Sequence, residues 1–188
     1  MSKIYFTSDH HFGHANIIRF CNRPFANVEE MNETLIARWN EKIQPQDEVY
    51  HLGDFGLNSK EELAAILDRL NGKKYLIVGN HEGAALQNKS KFQWTKEYHE
   101  LKVNDPECAN GVQRIILFHY AMRVWRSDHR GTWHLYGHSH NNLPDIAESL
   151  SFDVGVDAHD FYPLSYEDVK AIMKRKTWTP PFGNEGER

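Results

Sequence analysis

The chain has 188 residues, enough for one domain with a short tail and a sizeable buried core. With 40% hydrophobic and 26% charged residues it has an ordinary globular composition, which excludes an intrinsically disordered chain. A net charge of -4 argues against a dedicated binder of duplex nucleic acid, and no apolar run is long enough to span a membrane.

The first 178 residues read in chain order as alternating strands and helices, with residues 179–188 as a loose tail. Ile4-Tyr5-Phe6-Thr7-Ser8 reads as a buried strand that runs into Asp9-His10-His11. Asn27 with Glu30 predicts a helix start, and Val28, Met31, Leu35 and Trp39 mark its apolar face. A second strand, Val49-Tyr50-His51-Leu52, ends at Gly53-Asp54. Ser59 and Glu62 form a capping box ahead of Leu63, Ile66, Leu67 and Leu70, and Asn71-Gly72 stops that helix. Tyr75-Leu76-Ile77-Val78 then runs into Gly79-Asn80-His81-Glu82. Residues 83–112 carry no legible period. Two more strands follow: Ile115-Ile116-Leu117-Phe118 ends at His119, and Trp133-His134-Leu135-Tyr136 ends at Gly137-His138-Ser139-His140. Residues 152–156 are a further candidate strand, and Ser165 with Asp168 opens a last helix carrying Val169, Ile172 and Met173. Strand–helix alternation gives an α/β fold.

Twelve histidines are many for this length, and their positions give them meaning. Five apolar runs end in Asp, Asn or His, at the carboxyl ends where ligands gather in α/β sheets. Imidazole with carboxylate or amide oxygen, and no thiolate, fits Mn, Fe or Zn in a catalytic role. Two cations about 3.5–4 Å apart require a shared carboxylate. Asp54 is the candidate, lying on a strand between the others. Cys21 and Cys108 follow no paired spacing and read as free thiols in a reducing cytoplasm.

Taken singly, several of these residues have plainer readings. Asp54 alone is a turn residue, His119 alone a core histidine, and His138 with His140 two surface imidazoles. Glu82 reads as a surface or supporting residue, His51 as packing or supporting the site, and Asp157 and His159 as part of a strand end and turn, with a supporting role open. Arg19 and Arg23 in the first loop, and Arg123, Arg126 and Arg130 around Trp125, are either solvated or turned to substrate phosphate, with Trp125 stacked on a base.

The ordered set Asp9-x-His11, Gly53-Asp54, Gly79-Asn80-His81-Glu82, His119 and Gly137-His138-Ser139-His140 resembles the calcineurin-like metallophosphoesterases, in particular small prokaryotic or phage members. The resemblance implies a four-layer α/β/β/α sandwich of two mixed β-sheets flanked by helices. It implies two divalent metal ions, Mn2+ foremost with Fe, Zn or Ni as alternatives. One would be held by Asp9, His11, Asp54 and His140, the other by Asp54, Asn80, His119 and His138. His81 would contact phosphate or protonate the leaving group, while a metal-bridging hydroxide attacks phosphorus in line. His14, Arg19, Arg123 and Arg126 are the candidate substrate contacts. The expected activity is phosphodiester hydrolysis on nucleotide-like substrates or single-stranded nucleic acid ends. The alternatives are a phosphomonoesterase and a non-catalytic binding module. One departure separates this chain from the protein serine/threonine phosphatases, whose second motif continues as Gly-Asp-x-x-Asp-Arg-Gly. Here it reads Gly53-Asp54-Phe55-Gly56-Leu57-Asn58, so the Asp that would orient the histidine is missing.

Overall fold

The computed structural model describes residues 2–108 and 110–180. Their elements, in chain order, are β1 (Ile4–Thr7), α1 (Ala15–Phe20), α2 (Val28–Lys42), β2 (Glu48–His51), α3 (Lys60–Arg69), β3 (Lys73–Ile77) and α4 (Gly83–Gln87). The second half contributes β4 (Thr95–Lys96), β5 (Tyr98–Asn104), β6 (Val112–Phe118), β7 (Trp133–Tyr136), β8 (Ser151–Asp153), β9 (Leu164–Ser165) and α5 (Tyr166–Met173). Three helices start where side-chain caps predict. Asn27 accepts from the Glu30 amide, and Ser59 with Glu62 and Ser165 with Asp168 close reciprocal capping boxes. Each such cap contributes about 1 kcal/mol.

The strands form two mixed sheets, ordered β4-β3-β2-β1-β9 and β5-β6-β7-β8. In the first sheet β1 to β4 are parallel and β9 is antiparallel to β1. In the second, β6, β7 and β8 are parallel and β5 is antiparallel to β6. Side chains alternate between faces along a strand, and this sorts the core into two layers. Tyr5, Val49 and Leu76 pack under α2 and α3 with Met31, Leu35, Trp39, Leu63 and Leu67. Phe6, Tyr50, Leu52 and Ile77 face the second sheet and meet Ile115, Leu117, Leu135 and Phe152, with Val169 and Met173 of α5. Burying each large apolar side chain contributes about 1.5–3 kcal/mol.

Two local expectations shift. The strand expected at residues 152–156 is Ser151–Asp153, followed at Val156–Ala158 by a 3-10 turn. Helix α1 was not anticipated: its N-cap, His14, makes no side-chain cap hydrogen bond. Of the tail expected at 179–188, residues 181–188 lie outside the described residues.

Candidate metal centre

The carboxyl ends of β1, β2, β3, β6 and β7 deliver the histidines and carboxylates to adjoining loops. The backbone there is unusual. Asp9, His11, Asp54, His138 and His140 all have positive φ, at 59°, 53°, 57°, 68° and 47°. A left-handed conformation costs a non-glycine residue about 1–2 kcal/mol, and such strain collects where surrounding structure enforces it at functional sites. Here the enforcing contacts are hydrogen bonds. Asp9 N and His11 N donate to the carbonyls of Gly53 and Asp54 at 3.0 and 3.1 Å. His138 N donates to both Asp9 carboxylate oxygens, at 3.1 and 2.9 Å. Asp153 holds the loop after β7, accepting from Ser139 Oγ at 2.5 Å and from the Asn141 amide at 3.2 Å.

Asp9, His11 and His140 form one cluster, each offering a donor atom within 4.8 Å of the others. Asp9 is fully buried, and burial pushes its carboxyl up to about 8 against the opposing pull of His140 and Ser8. His11 is buried with neither ring nitrogen hydrogen-bonded, and burial, then His140 and Arg23, pushes it down to about 2. Its lone pair is therefore free. His140 Nδ1 donates to Asp157 Oδ2 at 2.7 Å, which turns Nε2 toward Asp9 Oδ1 at 3.9 Å. Burial alone would lower His140, but hydrogen bonds to Asp157 and Cys21 and the charge of Asp9 raise it to about 10. Asp157 is in turn gripped by Arg23, whose Nε and Nη2 reach its two oxygens at 2.8 Å each. The same guanidinium donates to the carbonyls of Asp9 and His10 at 2.7 and 2.8 Å.

Asp54, His119 and His138 form a second cluster, and Asn80 joins it. His119 Nδ1 lies 2.7 Å from the Leu52 carbonyl and must donate to it, so Nε2 carries the lone pair. That nitrogen faces Asn80 Oδ1 at 3.1 Å and Asp54 Oδ1 at 3.6 Å. His138 Nδ1 stands 3.0 Å from the same Asn80 oxygen. Acceptors turned toward one another repel unless a cation lies among them, so this cluster fits a divalent metal; the first fits one through Asp9 and the unpartnered ring nitrogens of buried His11. Asp54 stands between the clusters, with Oδ2 3.5 Å from His11 Nε2. Two glycines leave room for these carboxylates. A Cβ on Gly79 would lie 2.4 Å from Asp54 Oδ1, and one on Gly137 2.4 Å from Asp9 Oδ2.

The neighbours sort differently. His81 is exposed, its amide donating to Asp54 Oδ1 at 2.8 Å and its ring 5.6 Å from that of His11. The His14 ring lies 5.5 Å from His11 and 6.4 Å from His81, at the same rim. Glu82, read as surface or support, is buried, accepts from the Phe55 amide at 3.2 Å, and is pushed up to about 7 chiefly by burial. His10 and His51 bond each other at 2.9 Å inside the aromatic core and take no part in either cluster. Arg23, read as either solvated or turned to substrate phosphate, is buried and committed to Asp157. Arg19 lies over the Phe20 ring, and Arg126 pairs with Glu100 at 2.9 Å. Arg123 is exposed, lining a groove with Met122 and Tyr136. Trp125 is half-buried and donates to the Thr132 carbonyl at 2.8 Å, which ties it into its own loop instead of freeing it for a base. His159 bonds the Asp153 carbonyl at 2.8 Å. Asp153 drew no attention in the sequence, and Arg23 and Asp157 gave no sign of pairing across 134 positions.

Fold and donor set define a phosphoester hydrolase of the metal-dependent kind, and comparison with known proteins places it. The family model of the calcineurin-like phosphoesterases matches residues 2–173, and the chain belongs to that family. Its general activity is metal-dependent hydrolysis of phosphate esters. An uncharacterized protein of Methanocaldococcus jannaschii is 35% identical over 184 residues, covering 94% of each chain. The gene 66 protein of Mycobacterium phage D29 is 27% identical, covering 92% of this chain and 96% of that protein. A crystal structure of a protein of unknown function from Aquifex aeolicus shares the fold, with a TM-score of 0.67 and 22% identity over 92% of this chain and 100% of that one. No helix among the described residues is long and apolar enough to cross a membrane.

Proposed function

We propose that this chain is a phosphodiesterase acting on nucleotide-like substrates with two divalent cations, Mn2+ foremost. Asp9, His11, Asp54 and His140 would hold one, and Asp54, Asn80, His119 and His138 the other. The observation that carries this reading is the division of a single carboxylate: Asp54 turns Oδ2 to His11 at 3.5 Å and Oδ1 to His119 at 3.6 Å. A carboxylate shared in this way lets two cations act on one phosphoryl group. When bound, they supply positive charge at the phosphoryl oxygens and acidify the attacking water.

The chain's own groups have separable tasks. His81 would donate a proton to the leaving oxygen, a reading supported by its position at the exposed rim with its amide tied to Asp54. Leu52 holds the tautomer of His119 that aims a lone pair inward, and Asp157 holds His140 with Nε2 inward, where a bound cation would take the place of the ring's second proton. No guanidinium of the described residues contacts the donor shell with a hydrogen bond to spare, which favours a diester over a more highly charged monoester. Among the described residues, the guanidinium that contacts this shell is Arg23, and Asp157 and two carbonyls occupy it.

The test is to strip the protein with chelator, restore Mn2+, and compare a bis-aryl phosphate with the matching mono-aryl phosphate, with Asp54→Asn as control. Manganese-dependent turnover, faster on the diester and reduced about 10²–10³-fold or more by the substitution, is expected. Faster monoester turnover would make the protein a phosphatase. Two bound metals with no turnover of either ester would make it a binding module.

A further inference from the structure

The outward face of β5 and β6 carries a feature that the metal centre does not use. The loop after His119 folds back over this face and encloses a cavity of about 550 Å³ lined by Arg114, Arg126, Arg130, Glu100, Gln113 and Thr132. Three guanidinium groups thus line it against one carboxylate, on a chain whose net charge is -4. Arg126 pairs with Glu100, while Arg114 and Arg130 make no ion pair among the described residues. The strand register adds a second observation. Lys102 of β5 lies directly opposite Arg114 of β6, and both are exposed. Like charges opposed across a strand pair destabilise it, so this pair acts against the fold and in favour of an anion.

Aromatic side chains continue the track toward the metal centre. Tyr98, 40% exposed, is paired in register with Phe118 and bonds Glu100 through its hydroxyl. Tyr120, 38% exposed, lies 5.6 Å from the Phe118 ring and 4.8 and 4.7 Å from the rings of His119 and His138. Arg114 and His119 are five residues apart on or just beyond β6, about 16 Å at the rise of a strand. Cations that follow a backbone, interleaved with exposed rings on which bases stack, are the means by which proteins hold single strands.

We infer that this face is an extended binding track for single-stranded nucleic acid. Lys102, Arg114 and Arg130 hold backbone phosphates, Tyr98 and Tyr120 stack bases, and the track leads the strand toward the metal centre. The inference deepens the phosphodiesterase reading and rests on it for the class of substrate. The track binds phosphates remote from the one cleaved, so it raises affinity for longer strands and leaves small diesters unaffected.

The experiment uses the manganese-loaded protein, a labelled phosphorothioate single strand of about 12 nucleotides that resists cleavage, and the triple variant Lys102→Gln/Arg114→Gln/Arg130→Gln. The variant should bind the strand at least tenfold more weakly at low salt. Its plot of log affinity against log salt should be shallower by about 2, at about 0.7 per phosphate contact. Its turnover of the bis-aryl phosphate should stay within twofold of the parent, and its thermal midpoint should hold or rise once the opposed charges are gone. Tyr98→Ala should weaken binding without changing the salt slope. Unchanged affinity and slope in the triple variant would overturn the inference. So would a duplex of the same length bound as tightly with the same sensitivity. Loss of strand binding in a protein that turns over no ester would uphold the track and sink the diesterase reading.

Discussion

Arg23 and Asp157 lie 134 positions apart and meet through two hydrogen bonds of 2.8 Å, with His140 Nδ1 on Asp157 Oδ2 at 2.7 Å. The pair fixes the orientation of one imidazole of the metal centre. The same guanidinium ties down the carbonyls of Asp9 and His10, so it also braces the strained loop that carries Asp9 and His11. Asp157→Ala should therefore weaken Mn2+ binding at one of the two proposed sites about 10–100-fold and spare the other, as read by calorimetric titration. Equal losses at both sites would refute the assignment. Arg23→Ala should cost stability as well, about 3–5 kcal/mol in urea, because it leaves His140 as the remaining partner of a buried carboxylate and strips two carbonyls of their donor. Arg23→Lys should rescue little, since an ammonium cannot span both oxygens.

Gly79 is there because Asp54 needs the space. An added Cβ would lie 2.4 Å from Asp54 Oδ1 and 2.7 Å from its amide. Gly79→Ala should displace the shared carboxylate and reduce turnover about 10²-fold, with a cooperative unfolding transition retained. Near-normal turnover would show that the loop yields freely.

His81→Gln should behave differently from any ligand substitution. Metal content should stay at the parental value while kcat falls about 10²–10⁴-fold. The fall should be steepest for esters with poor leaving groups, which depend most on protonation. A loss of bound metal in this variant would contradict its place at the exposed rim.

The metal centre should also bear on stability. Asp9, His11 and Asp54 are buried side by side, an arrangement that a cation relieves. Manganese at 100 times its dissociation constant should stabilise the fold by about 2.7 kcal/mol per site. A chelated sample whose melting point does not respond to Mn2+ would argue against metal in these clusters.

Away from the site, Asp105 accepts from Lys170 Nζ at 2.9 Å and Tyr166 OH at 2.7 Å, pinning α5 to the hairpin of β5 and β6. Those two hydrogen bonds, Lys170 first, hold its carboxyl down at about 2, below its usual 3.8. A depressed carboxyl contributes stability that is fully present above its unfolded value and is lost as pH falls through its folded value. Between about pH 4 and pH 2 the parent should lose this contribution, whereas Asp105→Asn, already weaker at pH 7, should not. Parallel acid-unfolding curves for the two proteins would refute it.

What could be read without coordinates was local. The caps at Asn27, Ser59 and Ser165 are short-range hydrogen bonds, so three residues of sequence reveal them. The ligand-bearing strand ends were legible for a similar reason, as each is an apolar run stopped by Asp, Asn or His. Helix α1 has no cap bond and residues 95–104 no apolar run, so neither announced itself. Glu82 looked like any polar loop residue, and only packing against Phe55 shows it buried.

The sequence by itself determined the family, the candidate metal donors and the strands and helices that carry a cap or an apolar run, because residue type and periodicity are one-dimensional properties. Tertiary structure alone decided which histidines face which carboxylate oxygen, which arginine serves the centre from behind and which lie along β5 and β6, and which ring nitrogens carry lone pairs. Those outcomes depend on contacts between segments far apart in the chain, where hydrogen bonds of a few ångströms and the exclusion of water set each group's orientation and charge.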